Sequence, residues 1–212
     1  MVVFLDMDIF SIVFIIAVIM FSVIVHEVMH GVAADYLGDP TARYAGRLTL
    51  NPIPHIDFFG SIVFPVLTAL SPGGFLIGWA KPVPYNPYNL VRAPRWGEAI
   101  VALAGPASNL ALALIFGLLI RLDILPSVAD LFMYVVAVNI SLMILNLLPV
   151  PPLDGSKIFS AVLPKSLGYD RLREQLERNP FLGFGLVIIL IILFGGTLGQ
   201  AVYSLARVIA GA

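Results

Sequence analysis

Residues 9–34 read IFSIVFIIAVIMFSVIVHEVMHGVAA, an apolar run interrupted only by Ser11, Ser22 and the cluster His26-Glu27-Val28-Met29-His30. At about 1.5 Å per residue a helix over this run is about 38 Å long, more than the bilayer's hydrocarbon thickness of about 30 Å. The cluster therefore falls in the last third of a membrane span, at or below the membrane surface. Composition agrees. Of 212 residues, 59% are hydrophobic and 12% charged, and mean hydropathy is +0.98; a soluble domain carries about 25% charged residues. An ordinary soluble enzyme is excluded. The net charge of −1 offers no basic field for nucleic acid. Cysteine is absent, so any metal must be held by His, Asp or Glu. The amino terminus carries Asp6 and Asp8 where a cleaved signal would carry basic residues.

Beyond this run, Asp35 to Asp57 is polar, and residues 42–50 (ARYAGRLTL) predict a short strand closed by Asn51-Pro52-Ile53-Pro54. Phe58–Leu70 is apolar but holds only 13 residues, including Pro65, too few to span, so a re-entrant hairpin is expected. Residues 75–96 predict an interfacial loop anchored by Trp79, Tyr85 and Tyr88. Further spans are expected over 99–120, 131–148 and 181 to about 198, with an amphipathic helix in 156–180. The tail from Gly199 either extends the last helix or lies at the interface. The expected fold is an all-α polytopic membrane protein of four to six transmembrane helices, with a re-entrant hairpin and a small β element near the His26–His30 cluster. One domain covers 1–212, with a core over 9–163 and a helical region over 164–212. Of the 12 Lys and Arg residues, five (Arg43, Arg47, Lys81, Arg92, Arg95) precede the 99–120 span and five (Lys157, Lys165, Arg171, Arg173, Arg178) follow Asp154. If Phe58–Leu70 does not cross, these regions share one face, which the positive-inside rule assigns to the cytoplasm, with the amino terminus outside.

His26 and His30, at i and i+4, leave the same face of a helix, the spacing for two nitrogen ligands on one zinc ion. Glu27 beside them is placed to act as a general base without ligating. Three ionisable groups in an apolar span cost about 2.5 kcal/mol or more each unless paired or functional, which favours the metal. A third ligand is needed. The candidates are Glu98, Asp130, His55 and Asp154, and Asp154 is best placed: Pro149, Pro151 and Pro152 break the chain beside the membrane, and Gly155 lets it turn. Its structural alternative is a helix N-cap. Asn146 is the candidate donor to an oxyanion, Asn109 either faces the site or joins helices, and His55 approaches the metal, binds substrate or caps the hairpin.

The cluster His26-Glu27-Val28-Met29-His30, followed by Asn146-Leu147-Leu148-Pro149-Val150-Pro151-Pro152-Leu153-Asp154-Gly155, resembles the site-2 protease family of intramembrane zinc metalloproteases. Gly105-Pro106-Ala107-Ser108-Asn109 and Gly78-Trp79-Ala80-Lys81-Pro82-Val83-Pro84 also look like its bacterial and archaeal members. The likeness covers residues 20 to 160, in a compact form without PDZ or CBS domains. It implies one zinc ion held by His26, His30 and Asp154, Glu27 as catalytic base, and Asn146 near the substrate backbone. The implied reaction is hydrolysis of peptide bonds in or near transmembrane segments of other proteins, in a prokaryotic cell membrane with the active site toward the cytoplasm. Asn146, Asn109 and His55 are candidate substrate-binding residues. The expected partners are a transmembrane protein or peptide and the lipid bilayer. The competing class, a metal-binding transporter or non-proteolytic scaffold, should show a polar path through the membrane or repeated halves, which the sequence lacks.

Overall fold

The computed structural model describes residues 9–63, 78, 80–163 and 168–211. Its helices are α1 (Ile9–Leu37), α2 (Thr41–Tyr44), α3 (Gly97–Arg121), α4 (Ala129–Asn146), α5 (Asp154–Val162), α6 (Tyr169–Arg178) and α7 (Pro180–Ala210). Single 3-10 turns occupy Ile53–His55, Pro87–Asn89 and Pro126–Val128, and a π-helical turn occupies Phe58–Val63. Among the described residues, four helices are long and apolar enough to cross a membrane: Ile9–Leu37, Gly97–Arg121, Pro126–Asn146 and Leu182–Ala210. Their outward faces carry Phe10, Val13, Ile16 and Phe21 on α1 and Ile189, Ile192, Leu193 and Phe194 on α7, all exposed. So large an apolar surface suits lipid as its solvent.

Local chemistry sets the ends of these helices. Asp123 and Leu125, both at positive φ, turn the chain sharply between α3 and α4, making them an antiparallel pair. Pro149, Pro151 and Pro152 follow α4 and stop it. Pro180 opens α7, and Gly211 in the left-handed region closes it.

Helix α3 is the hub, packing against α1, α4, α5 and α7. Small residues at its contacts (Ala99, Ala102, Gly105, Ala113, Gly117) are buried and let neighbouring backbones approach closely. Ala113, Val136, Ile140 and Ala206 form the core where α3, α4 and α7 meet. At the other end, Ala34, Leu37, Leu90 and Val101 join α1, the 85–93 segment and α3. The Arg92 amide donates to the Leu37 carbonyl at 3.1 Å, so α1 ends and α3 begins at the same end of the bundle. Arg121 caps the far end of α7 through the carbonyls of Val208 and Ile209.

Three expectations are corrected or refined. No strand occurs among the described residues; residues 42–50 run from the short helix α2 into irregular backbone. Asp39 starts that helix by accepting from the Thr41 amide and hydroxyl at 3.3 and 2.6 Å. Gly46, at φ +65°, then bends the chain away from an extended path, and among the described residues no second strand lies alongside to pair with it. The amphipathic region 156–180 holds two helices, α5 and α6, and the carboxy-terminal tail prolongs α7 to Ala210. Of the hairpin expected over Phe58–Leu70, only Phe58–Val63 lies within the described residues. Trp79 lies outside them, and Tyr88 is 93% exposed.

Asp39, shielded from solvent, also accepts from the Asn86 amide at 2.5 Å and the Asn89 side chain at 3.0 Å, binding the 85–89 loop to the end of α1. Burial pushes its carboxyl up, but the donors from Thr41, Asn89 and Asn86 outweigh burial and hold it below the usual carboxylate range. Its stabilising contribution is therefore complete above a pH of about 4 and is lost as pH falls through the depressed value. Asp39→Ala is expected to cost about 2 kcal/mol. Thermal unfolding in detergent should show a lower Tm at neutral pH and a shallower acid dependence than the parent chain.

Candidate metal centre

Three buried side chains from two distant stretches converge at one end of the bundle. His26 and His30 lie one turn apart on α1, and Asp154 is the first residue of α5. The two Nε2 atoms are 3.0 Å apart, and each lies close to Asp154 Oδ2, at 3.1 Å from His26 and 3.2 Å from His30. All three potential ligand atoms fall within 4.8 Å of one another. A tetrahedral zinc ion with bonds of 2.0–2.1 Å would set its ligand atoms about 3.3 Å apart, so the triangle is close to that size.

The proton positions sharpen the test. His26 Nδ1–H donates to Asn109 Oδ1 at 2.7 Å, and His30 Nδ1–H donates to the Val101 carbonyl at 2.7 Å. Both partners only accept, so in the neutral imidazoles the proton is on Nδ1 and each Nε2 presents a lone pair. Two lone pairs then face a carboxylate oxygen with no hydrogen between them. A cation is the natural occupant. The N-cap alternative is not realised: Leu153 precedes α5, and Asp154 makes no capping bond.

Behind the imidazoles runs a chain of buried polar groups. Asn109 Nδ2 donates to Asn139 Oδ1 at 2.9 Å, and Asn139 Nδ2 donates to Ser22 Oγ at 3.0 Å. His26 and Ser22 of α1, Asn109 of α3 and Asn139 of α4 are thus tied together, and the His26 ring orientation is fixed. Asn109 is fully buried beneath His26, to which its Oδ1 is hydrogen-bonded. Gly105 makes room on the other side. A Cβ there would come within 2.6 Å of both imidazole rings.

Glu27 sits beside the triad, its Oε2 accepting the Val83 amide at 2.8 Å. A cavity of about 150 Å³ is lined by the triad, Glu27, Asn146, Lys157, Tyr85 and the Pro82–Val83 segment, among others. Asn146 donates one N–H to its own helix, at the Leu142 carbonyl, 3.0 Å away. His55 does not reach the triad. It is buried among Arg47, Thr49 and Lys81: its Nε2–H donates to the Thr49 carbonyl at 2.9 Å, and its backbone carbonyl accepts the Lys81 amide at 2.9 Å. Glu98 pairs with Arg173 at 3.2 Å, and Asp130 lies in the first turn of α4, at the opposite end. Sequence reading missed Asn139 and Ser22 as supports, Val83 as the partner of Glu27, and Lys157 and Tyr85 as cavity walls. Only Lys157 carried a usable signal, lying one helical turn beyond Asp154.

Comparison with known proteins bears on this geometry. The model of peptidase family M50 matches residues 14–126 and 123–193. A Bacillus subtilis protein named "Putative zinc metalloprotease YwhC" is 35% identical over 191 residues, covering 85% of this chain and 80% of that protein. Proteins named "Putative zinc metalloprotease Rip2" are 30% identical in Mycolicibacterium smegmatis, over 87% of this chain and 68% of the relative, and 32% identical in Mycobacterium tuberculosis, over 84% and 65%. No solved structure matches the chain. With a family model spanning most of its length and relatives at this level of identity, the chain belongs to peptidase family M50, the site-2 protease family, and is a zinc metalloprotease.

Proposed function

We propose that the chain is an intramembrane endopeptidase that holds one zinc ion on His26, His30 and Asp154. It hydrolyses peptide bonds in or near the transmembrane segments of other membrane proteins. The observation that carries this reading is the convergence of three proton-free acceptor atoms beside Glu27, in a cavity at the end of an apolar bundle. Zinc supplies Lewis acidity toward water and a peptide carbonyl. Glu27 takes the proton of the attacking water and returns it to the leaving amine. Its second carboxylate oxygen is fixed by the Val83 amide, which orients the base. Asn146, on the cavity wall, holds the substrate backbone. A transmembrane helix keeps its peptide groups inside its own hydrogen-bond ladder, so the substrate must unwind locally before its carbonyl can enter.

The domain reading is one unit over 1–212, with the core over 9–163 and the 164–212 region closing it through α7, which packs on α3 and α4. The site lies toward the cytoplasm of a prokaryotic cell membrane. Arg43, Arg47, Arg92, Arg95 and Lys157 belong to segments at the site end, whereas Arg121 and Arg207 lie in the last turns of α3 and α7 at the other. The positive-inside rule places the first group in the cytoplasm, and the matched relatives are bacterial. A transporter is disfavoured, since Ile15, Val136 and Ile140 are packed without solvent access in the bundle.

Glu27→Gln should retain one zinc per chain and lose cleavage of a transmembrane peptide by about 100-fold or more. Asp154→Ala should lose both. Metal analysis of the purified proteins beside the cleavage assay checks this, and an active Glu27→Gln enzyme or unchanged zinc in Asp154→Ala defeats the assignment.

Asn139→Leu should weaken zinc affinity about 10-fold by releasing Asn109 from behind His26, with activity largely restored at saturating zinc. Competition with a chelator of known affinity measures it.

A further inference from the structure

Lys157 has no place in the chemistry so far, yet it stands in the cavity. It lies on α5 three residues beyond Asp154, on the same helical face. With Glu27, Asn146 and the three acceptor residues it forms the wall of the same 150 Å³ space, where it is the one permanent cation among the lining residues. Its Nζ sits 5.3 Å from the centre of the Tyr85 ring. Tyr85 in turn packs on the Ala34–Leu37–Leu90–Val101 cluster, so the ammonium rests against a fixed platform. If Lys157 served only to dock α5, an apolar side chain would pack against Tyr85 without bringing a charge out of water.

The relocation of charge during hydrolysis gives it a purpose. With a divalent cation held by the triad, the carboxylates of Asp154 and Glu27 make the cavity neutral, and Lys157 raises it to +1. Hydrolysis of a peptide bond places one negative charge on the former carbonyl oxygen. Because Glu27 takes the water's proton, its negative charge is relocated to that oxygen and the total does not change; in a space poor in water, a donor set where the charge arrives strengthens only as the transition state forms. Asn146 spends one of its two N–H groups on Leu142 and brings no charge.

We propose, resting on the peptidase reading above, that Lys157 is a catalytic residue whose ammonium stabilises the oxyanion of peptide hydrolysis. The water oxygen bonds to the carbonyl carbon as its proton passes to Glu27, and the carbonyl π pair moves onto oxygen, where Lys157 Nζ–H donates to it. The pair then returns, the C–N bond breaks, and the departing nitrogen takes the proton from Glu27, leaving a carboxylic acid and an amine. Lys157 keeps its proton throughout.

The test uses the full-length zinc-loaded enzyme in detergent micelles, a fluorogenic peptide with a single apolar transmembrane segment, and a phosphinic analogue of it that carries the tetrahedral anion. Lys157→Met should keep its zinc and its Tm while kcat falls about 100-fold with KM nearly unchanged. Affinity for the phosphinate should fall by a similar factor, and Lys157→Arg should recover part of both. Because the chain has no cysteine, Lys157→Cys offers a single thiol within one folded preparation. Alkylation with 2-bromoethylamine, which restores an ammonium, should raise kcat at least 10-fold, and alkylation with iodoacetamide, which is neutral, should not. That comparison decides the matter even if Lys157→Met fails to fold. Parent-like kcat and phosphinate affinity in folded, zinc-loaded Lys157→Met, or equal rescue by both reagents, overturns the role of Lys157 and leaves the peptidase reading standing. Failure of the parent enzyme to cleave overturns the peptidase reading itself.

Discussion

Two imidazole lone pairs and a carboxylate oxygen, mutually about 3 Å apart and all buried, repel one another unless a cation lies among them. Water cannot screen that repulsion inside an apolar bundle. The surrounding structure acts to keep the three groups facing each other. Carbonyl acceptors on Asn109 and Val101 fix the Nδ1 protons and so aim the lone pairs inward. Gly105 leaves space for both rings against α3. The prolines after α4 bring Asp154 back to the end of α1, which its own helix would otherwise have carried past.

A second layer holds the Glu27 carboxylate. Pro82 and Pro84 have no amide hydrogen, so Val83 is the only donor among the three, and its N–H is given to Glu27. The segment is held two residues earlier, where the Lys81 amide bonds to the His55 carbonyl at 2.9 Å and the Lys81 carbonyl accepts from Arg47 at 2.6 Å. His55 in turn anchors to Thr49 through its ring. A loop rich in proline, which reads in the sequence as an interfacial connection, thus sets the position of the carboxylate beside the three converging acceptor groups. Asp39 secures the next stretch of the same loop to the end of α1.

What the sequence disclosed followed from short-range rules. The four long apolar runs, the i, i+4 histidines and the proline break before Asp154 each declare themselves within one or two turns, and the structure has a helix over each run. The partner of a polar group in a span is not local. Asn139 and Ser22 are 117 residues apart, and nothing in either neighbourhood says that they meet. The strand expected at 42–50 failed for a related reason. Its alternating pattern is a preference that a ladder must complete, while Asp39 and Gly46 shape the same residues through contacts close in sequence.

The polar chain from Ser22 through Asn139 and Asn109 to His26 has two consequences that cannot be separated. In a bilayer, lipid tails are as apolar as the helices, so helix association gains little from apolar burial and depends on close packing and interhelical hydrogen bonds, each worth about 0.6 kcal/mol on average. The bonds that orient His26 are therefore among those that hold α1, α3 and α4 together. Small residues on α3, buried where it meets its neighbours, contribute little area but allow the approach that makes those bonds short. A substitution that widens the α1–α3 spacing would loosen the bundle and misalign His26 at once. The site is thus rigid for the same reason that the bundle assembles.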